Sequence, residues 1–171
     1  FASVAADRIS SFLEANGKLE DEQGGFRFQR GCVEQIFCFK ETLRARRWTG
    51  KPTYACFIDV KKAFDRVWKE GLWKALRDCG VQGRMWRFLR SYYDKGRSCV
   101  EVQGQLTDWF GLDVGVRQGC PLSPVLFNAF VNGLLRAIKA TGKGVRVDAD
   151  DLLAVLAYAD DLVLLADSNE D

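Results

Sequence analysis

The sequence contains no histidine, only three prolines and one methionine, and no apolar run of membrane-spanning length. Without histidine the usual proton acceptor at neutral pH is missing, so any chemistry must rest on carboxylates, metal ions and cationic side chains. The six cysteines are widely separated and form no closely spaced pair, which argues against a zinc site. A reducing, intracellular setting is therefore expected, in the nucleus or the cytoplasm, with no membrane insertion.

The bulk composition is that of an ordinary globular protein. With 171 residues, 47% hydrophobic and 28% charged, the chain can bury one sizeable core. Its net charge of +2 creates no overall basic field. Cationic side chains are nevertheless concentrated between residues 40–51 and 84–97, where solvated helix faces are the alternative to a nucleic-acid surface. The first residue is Phe1, so the chain is expected to be processed or to be an excerpt of a longer one.

Apolar periodicity and turn residues predict a mixture of helices and antiparallel strands. Helices are expected over residues 1–14, 33–47, 69–79, 83–94 and 121–141. The second of them should be amphipathic, with Val33, Ile36, Phe37 and Leu43 on one side. A buried strand is expected over residues 53–60, a hairpin over 98–114 with its turn near Gly104, and a closing hairpin around residues 159–160. This order indicates an α+β fold.

Two adjacent acids, Asp160 and Asp161, lie between two short apolar runs. Two strands joined across Ala159 and Asp160 would place both carboxylates at the tip of a hairpin. Such a pair has no packing purpose and repels itself, but a divalent cation would neutralise it. The alternative is that the acids are ordinary turn residues.

A third acid, Asp59, lies at the polar end of the strand-like run 54–60. Oxygen ligands alone favour Mg²⁺ or Mn²⁺ over zinc or copper. One acid from one strand and two from a neighbouring hairpin suit two metal ions a few ångströms apart, which is an arrangement for in-line phosphoryl transfer. The alternative for Asp59 is a strand-end residue without chemistry.

Four segments in order resemble a known family. Residues 57–65, 115–128 and the run Tyr158-Ala159-Asp160-Asp161 look like three palm motifs of reverse transcriptases, and residues 23–32 look like the fingers motif of the same enzymes. The residues of these motifs most resemble those of non-LTR (LINE-type) retrotransposon enzymes, and next those of group II intron proteins. The resemblance implies a polymerase palm, an antiparallel sheet packed on helices, over residues 51–171, and part of a fingers subdomain over 1–50. A thumb and the late palm element with its lysine are expected to be absent from this chain.

The resemblance assigns catalysis and metal binding to the acids. Asp59, Asp160 and Asp161 are the expected catalytic ligands of two Mg²⁺ ions, for which Mn²⁺ may substitute, and the backbone carbonyl of Val60 is expected to add one oxygen. The implied partners are an RNA template, a DNA primer and a dNTP, together with further protein subunits or the rest of a longer gene product.

Five further residues are expected to bind the nucleotide. Phe64 stands where the family places the ring that excludes a ribose 2′-hydroxyl, and Gln118 and Gly119 lie where the incoming nucleotide and the template base approach. Arg27 and Arg30 are expected to hold the triphosphate, because guanidinium groups suit bidentate phosphate contacts. The alternatives are a core phenylalanine for Phe64 and plain surface charge for the two arginines.

Three other features each have two interpretations or a structural one. Tyr158 is expected near the primer end, with an ordinary strand tyrosine as the alternative. The run 84–93 mixes cations with aromatics, but an amphipathic helix with a Met85, Leu89 and Tyr92 core face is favoured over a base-stacking platform. The acidic run 148–151 is interpreted as a turn, because no apolar run precedes it.

The function expected from these residues is that of an RNA-directed DNA polymerase palm from a mobile element. A captured retroelement fragment, serving as a non-catalytic structural or binding subunit, is the competing interpretation. An RNA-dependent RNA polymerase palm is a third, against which the bulky Phe64 argues. Because primer grip and thumb are expected to be missing, the isolated chain should be a weak polymerase or none.

Overall fold

A computed structural model describes residues 1–147 and 151–168. Its helices are α1 (Ala2–Ala15), α2 (Cys32–Trp48), α3 (Lys69–Asp78), α4 (Gly83–Asp94) and α5 (Leu122–Ala140), with one 3₁₀ turn at Phe64–Arg66. Its strands are β1 (Tyr54–Ile58), β2 (Arg97–Ser98), β3 (Glu101–Val102), β4 (Gln105–Leu106), β5 (Phe110–Gly111), β6 (Val145–Arg146), β7 (Leu152–Leu153), β8 (Val155–Tyr158) and β9 (Asp161–Ala166). Within these residues no helix has both the length and the hydrophobicity that crossing a bilayer requires. The predicted α+β class is confirmed.

The helix boundaries follow the predicted stop and start signals. Helix α1 ends at Ala15 and is capped by Asn16, and the following Gly17 takes the left-handed conformation (φ +55°) that a helix terminus favours. Helix α5 begins directly after Pro121, whose ring fixes a helical φ and needs no hydrogen bond. The predicted helices over 69–79 and 83–94 are also present within a residue.

A three-stranded antiparallel sheet in the order β1-β9-β8 forms the centre of the fold. In its register Ile58 faces Leu162 and Tyr158 faces Asp161. A two-residue turn joins β8 to β9, and its first residue, Ala159, has φ +59°, as in a type II′ turn. The predicted closing hairpin is confirmed.

Helix α5 connects the sheet to the helical core. On one side, Leu135 of α5 packs with Val155, Ala157 and Leu162 of the sheet. On the other side lies the main core, where fully buried side chains come from four helices: Ile9, Leu13, Leu72, Trp73, Leu76, Leu89, Leu122 and Leu126. Helix α1 therefore shares its core with α5, while the division into fingers (1–50) and palm (51–171) stays a prediction.

Two burial predictions are wrong. The predicted apolar side of α2 is exposed (Val33 76%, Phe37 64%), and the buried residues of the helix are instead Thr42 and Arg46. Strand β1 is exposed rather than buried, because it is an edge strand of the sheet and the described residues cover little of its outward face. Periodicity identified both elements but could not show which neighbours cover them.

Arg46 ties α2 to one end of the sheet. Arg46 is 4% exposed, and its guanidinium pairs with Asp167 (2.5 Å) just after β9 and donates to Thr53 Oγ1 (2.7 Å) just before β1. The opposite end of the same sheet is left free of such a cationic anchor among the described contacts.

The predicted hairpin near Gly104 is confirmed, although it is short. Strands β3 and β4 pair around Gln103 and Gly104, both with positive φ (50° and 79°), the pattern of a type I′ turn. Further out, β2 pairs with β5.

The segment between α1 and α2 is fixed onto α5 by charge. Glu20 accepts hydrogen bonds from Lys139 (2.7 Å) and Arg136 (2.8 Å). These contacts, first the one with Lys139, lower the pKa of the Glu20 carboxyl against the opposing effect of burial. The ionised form is therefore favoured by folding.

We predict that Glu20→Gln lowers the free energy of unfolding by about 1 kcal/mol at pH 7. Because the folded-state pKa is depressed, this contribution is present above the ordinary pKa of about 4.3 and is lost as the pH falls through the folded value. Chemical denaturation at pH 7 and at pH 3 measures it. A difference between wild type and variant that is equally large at both pH values would contradict the assignment.

Candidate active site

Three acidic residues, Asp59, Asp160 and Asp161, lie at the same end of the central sheet. Asp59 directly follows Ile58, which pairs with Leu162, so the antiparallel register places Asp59 opposite Asp161. Asp160 is the second residue of the β8–β9 turn at the same end. Asp59 and Asp161 line one cavity of about 360 Å³. The structure thus brings together the acids that the sequence spacing singled out.

The acids have no cationic partner in the part of the chain that is described. Across residues 1–147 and 151–168, the side chains of Asp59, Asp160 and Asp161 make no ion pair or hydrogen bond. In these ranges, no three acidic or cysteine side chains lie close enough together to form a complete metal-binding site. The donor set still fits a divalent cation, because unpaired carboxylate oxygens at one site are hard ligands that need positive charge.

Phe64 lies beside the two residues predicted to contact the nucleotide. Its ring stacks on Phe127 (centroids 4.4 Å apart, 11° between planes) and meets Phe26 edge-on at 6.0 Å. Phe64, Gln118 and Gly119 together line a second cavity, of about 440 Å³. One face of the ring is packed and the residue is half-buried. The role of Phe64 as a gate stays a prediction.

Gln118 and Gly119 belong to the turn that precedes α5. The Gln118 side chain donates to Asp65 Oδ1 (2.9 Å), and Val116 N donates to Phe64 O (2.9 Å). Gly119 has φ +78° and nothing within 4 Å of where a Cβ would lie. The hydrogen bond from Gln118 makes Asp65 the acceptor that orients the Gln118 side chain.

The two arginines predicted to hold the triphosphate make structural contacts. Arg27 is 8% exposed and forms a bidentate pair with Glu14 (2.7 Å for both bonds), and its Nη1 donates to Glu20 O (2.7 Å). This pairing, led by the hydrogen bond from Arg27, lowers the pKa of Glu14. Arg30 is more exposed and pairs with Asp21 (2.5 Å). The contacts of Arg27 argue for a structural role, and its nucleotide-binding role stays a prediction.

Tyr158 is 36% exposed and lines the same cavity as Asp59 and Asp161. Of the acidic run 148–151, residues 148–150 lie outside the described residues, so the turn predicted there is not tested. In α4, Leu89 and Tyr93 are buried while Met85 and Tyr92 pack partly against the core, which confirms an amphipathic helix.

The sequence reasoning missed the residues that support the hairpin. Gln23 is 2% exposed, and its side-chain amide bonds both backbone polar groups of Ala159. Asn128 of α5 donates to Gly25 O (2.8 Å). The available signal was a polar Gln23 directly before two glycines, inside the segment that resembles the fingers motif.

An antiparallel sheet backed by helices, with acids from one strand end and one hairpin turn, defines the palm of a polymerase. The family model described as reverse transcriptase (RNA-dependent DNA polymerase) matches residues 2–171, and the chain belongs to that family. A Pol polyprotein from the R2 retrotransposable element of Nasonia vitripennis is 33% identical over 99% of this chain, which covers 16% of that protein. An RNA-directed DNA polymerase from the mobile element jockey of Drosophila funebris is 28% identical over 95% of this chain, which covers 17% of that protein.

These relatives confirm the non-LTR, LINE-type assignment, and the chain spans about a sixth of their length. Among solved structures, telomerase from Candida tropicalis in complex with a fragment of telomeric RNA has a TM-score of 0.71, with 14% identity, 97% coverage of this chain and 29% of that one. At that identity the likeness supports the fold alone. Reverse transcriptases as a family use a divalent metal and bind nucleic acid.

Proposed function

We propose that this chain carries the nucleotidyl-transfer site of an RNA-directed DNA polymerase encoded by a retroelement. The main support is that the register of β1 with β9 puts Asp59 opposite Asp161 and next to the Ala159–Asp160 turn, while no cation among the described residues pairs with these three acids. Like charges gathered at one end of a sheet destabilise the fold unless a ligand compensates them, so the arrangement is understandable as a cation site.

Asp59, Asp160 and Asp161 would hold two Mg²⁺ ions, or Mn²⁺ in their place, with the carbonyl oxygen of Val60 as a further ligand. When bound, the metal ions would activate the primer 3′-hydroxyl and stabilise the charge of the transferred phosphate and of the leaving pyrophosphate. The chain itself contributes placement: the antiparallel ladder fixes the strand that leads to Asp59 relative to the strand that begins at Asp161.

The proposed substrates are a dNTP and a DNA primer paired to an RNA template. The cavity of Phe64, Gln118 and Gly119 would receive the incoming nucleotide, where glycine leaves room for close backbone approach. Tyr158, beside the acids, would contact the primer end. Further subunits, or the remainder of a longer product, would complete the grip on the duplex, at an intracellular site in the nucleus or cytoplasm.

The triphosphate would meet the region of Arg30 rather than the buried Arg27 guanidinium. Arg30 has one carboxylate partner, Asp21, and its side chain is 34% exposed, so a phosphate can compete for it. Arg27 would act by holding the segment in place through Glu14 and Glu20 O.

Addition of a single dNTP to a primer tests the proposal with the least demand on processivity. The chain is incubated with a DNA primer on an RNA template and one complementary dNTP in Mg²⁺, and the primer is analysed for extension by one nucleotide. Extension that depends on the template base supports the proposal. Because the isolated chain is expected to be a weak polymerase at best, metal binding is measured as well: a folded chain that neither adds a nucleotide nor binds Mn²⁺ would favour the captured, non-catalytic subunit instead.

We predict that Phe64→Ala relaxes the discrimination against ribonucleotides. Removing the ring opens the cavity that Phe64 shares with Gln118, so a 2′-hydroxyl can be accommodated there. The ratio of kcat/KM for dNTP to that for rNTP should fall about a hundredfold, mainly through the rNTP value.

The control is Phe110→Ala, at a half-exposed phenylalanine in the outer hairpin. It should leave the ratio unchanged. If Phe64→Ala lowers kcat/KM for both nucleotides equally, then Phe64 is a packing residue against Phe127 and not a selector.

A further inference from the structure

We propose that Gln23 is a positioning residue for catalysis, which holds the β8–β9 turn so that Asp160 and Asp161 stay beside Asp59. The inference rests on the function proposed above. In this role the segment before α2 fixes the position of the acids through the backbone of Ala159, which is distinct from binding the nucleotide.

The side-chain amide of Gln23 hydrogen-bonds both backbone polar groups of Ala159. Gln23 Nε2 donates to Ala159 O (3.0 Å), and Gln23 Oε1 accepts from Ala159 N (2.8 Å) and from Gly25 N (2.8 Å). Because both polar groups of one turn residue are bonded by the same planar amide, neither rotation nor sliding of the turn can occur without breaking hydrogen bonds. We call this set of three bonds the Gln23 clamp.

The turn is one that needs an external hold. Ala159 has φ +59°, a left-handed conformation that a residue with a Cβ seldom adopts. Such a conformation persists only where the surroundings over-determine it, and it tends to occur where geometry serves a function. Ala159 is the residue directly before the acidic pair, so its backbone angles set the direction in which Asp160 and Asp161 leave the strand.

The clamp is itself anchored to the core of the fold. Gly24 N donates to Ala157 O (2.8 Å) and Ala157 N donates to Glu22 O (2.9 Å), so the segment runs along the outer edge of β8. Asn128 of α5 donates to Gly25 O (2.8 Å). The turn is thereby connected to α5 through buried hydrogen bonds, which gives the acids a rigid support.

A merely structural role for Gln23 would predict loss of stability and nothing else. The chain offers a matched control in Asn132 of α5, which is also 2% exposed and also bonds the backbone of the same segment. Asn132 Nδ2 donates to Lys18 O (2.8 Å), and its Oδ1 accepts from Glu20 N (2.7 Å). These bonds are far from the turn in sequence and do not involve Ala159.

The test compares Gln23→Met with Asn132→Leu, each of which replaces a buried amide by an apolar side chain of similar size. Mn²⁺ binding to the full chain is measured by the electron paramagnetic resonance signal of the free ion, below the melting temperature of all variants. We expect Gln23→Met to weaken Mn²⁺ binding about tenfold or more, as loss of a supporting contact does at metal sites. Asn132→Leu should stay within about twofold of wild type.

The outcomes separate this inference from the function on which it rests. Equal Mn²⁺ affinity in Gln23→Met and wild type, or equal weakening in both variants, overturns the positioning role. If instead wild type binds Mn²⁺ no better than Asp160→Asn, the proposed metal site itself has failed, whatever Gln23 does.

A measurement without any substitution covers the case in which Gln23→Met does not fold. Ala159 and Gly104 both lie in two-residue hairpin turns. Of these two backbone amides, only that of Ala159 donates to a buried side chain among the described hydrogen bonds. Amide hydrogen exchange, followed by NMR, should be about a hundredfold slower at Ala159 than at Gly104. Equal exchange rates at the two turns would show that the clamp does not hold.

Discussion

Asp160→Asn is expected to lower the rate of nucleotide addition about a thousandfold while leaving the melting temperature of the metal-free chain unchanged or raised. The amide keeps the shape of the side chain but removes a negative charge that would bind the metal ions in the proposed site. Metal-ion stabilisation of the transferred phosphate amounts to several kcal/mol, which corresponds to three orders of magnitude in rate. Asp59→Asn should behave in the same way.

Stability should not fall, because the acids have no favourable partner to lose. Across residues 1–147 and 151–168, no cation pairs with Asp59, Asp160 or Asp161, so neutralising one of them relieves repulsion. Single-turnover primer extension and thermal unfolding measure the two effects. A large decrease in the melting temperature of Asp160→Asn would place this carboxylate in a structural network instead.

Asp108→Asn is the matched control for charge. Asp108 is exposed in the loop before β5, away from the central sheet, and the substitution makes the same chemical change. Activity should remain within about twofold of wild type. If Asp108→Asn reduced the rate as much as Asp160→Asn, the loss would reflect overall charge and not a specific site.

The central sheet and its acids could be predicted from the sequence because local patterns determine them. Apolar runs of strand length, interrupted by two acids at a turn, specify both the hairpin and what lies at its tip. The third acid, Asp59, is indicated by its position at the polar end of a separate apolar run. Their placement at one end of the sheet depends on β1 pairing with β9 rather than with β8, an order that only the structure shows.

The sequence could not show which elements of the fold pack against each other. Helix α2 has an apolar side in sequence, but its buried contacts are made by Thr42 and by the cationic Arg46, which pairs with Asp167 across 120 residues of chain. The buried pairing of Arg27 with Glu14 likewise could not be predicted from the sequence. A side chain's type shows what it can bind, whereas its partner is chosen by the tertiary fold.

Gly25→Ala is expected to damage both stability and activity, although it adds only one methyl group. A Cβ at Gly25 would lie 2.3 Å from Ala159 N and 2.9 Å from Ala159 Cα, so backbone must move against the turn that carries the acids. Overpacking of this kind costs about 2 kcal/mol of folding free energy. A displacement of about 1 Å at the acids lowers the rate of nucleotide addition about a hundredfold.

The same substitution at Gly133 should have the opposite effect on stability. Gly133 lies within α5, where a Cβ would have no atom within 4 Å, so alanine removes unfolded-state freedom without a clash. Gly133→Ala should raise the free energy of unfolding by about 0.5–1 kcal/mol and leave activity unchanged. Urea unfolding and single-nucleotide addition on both variants measure the contrast. Equal stability of the two variants would mean that the loop of Gly25 relaxes away from Ala159 at no cost, and that the turn of the acids is not held by close packing.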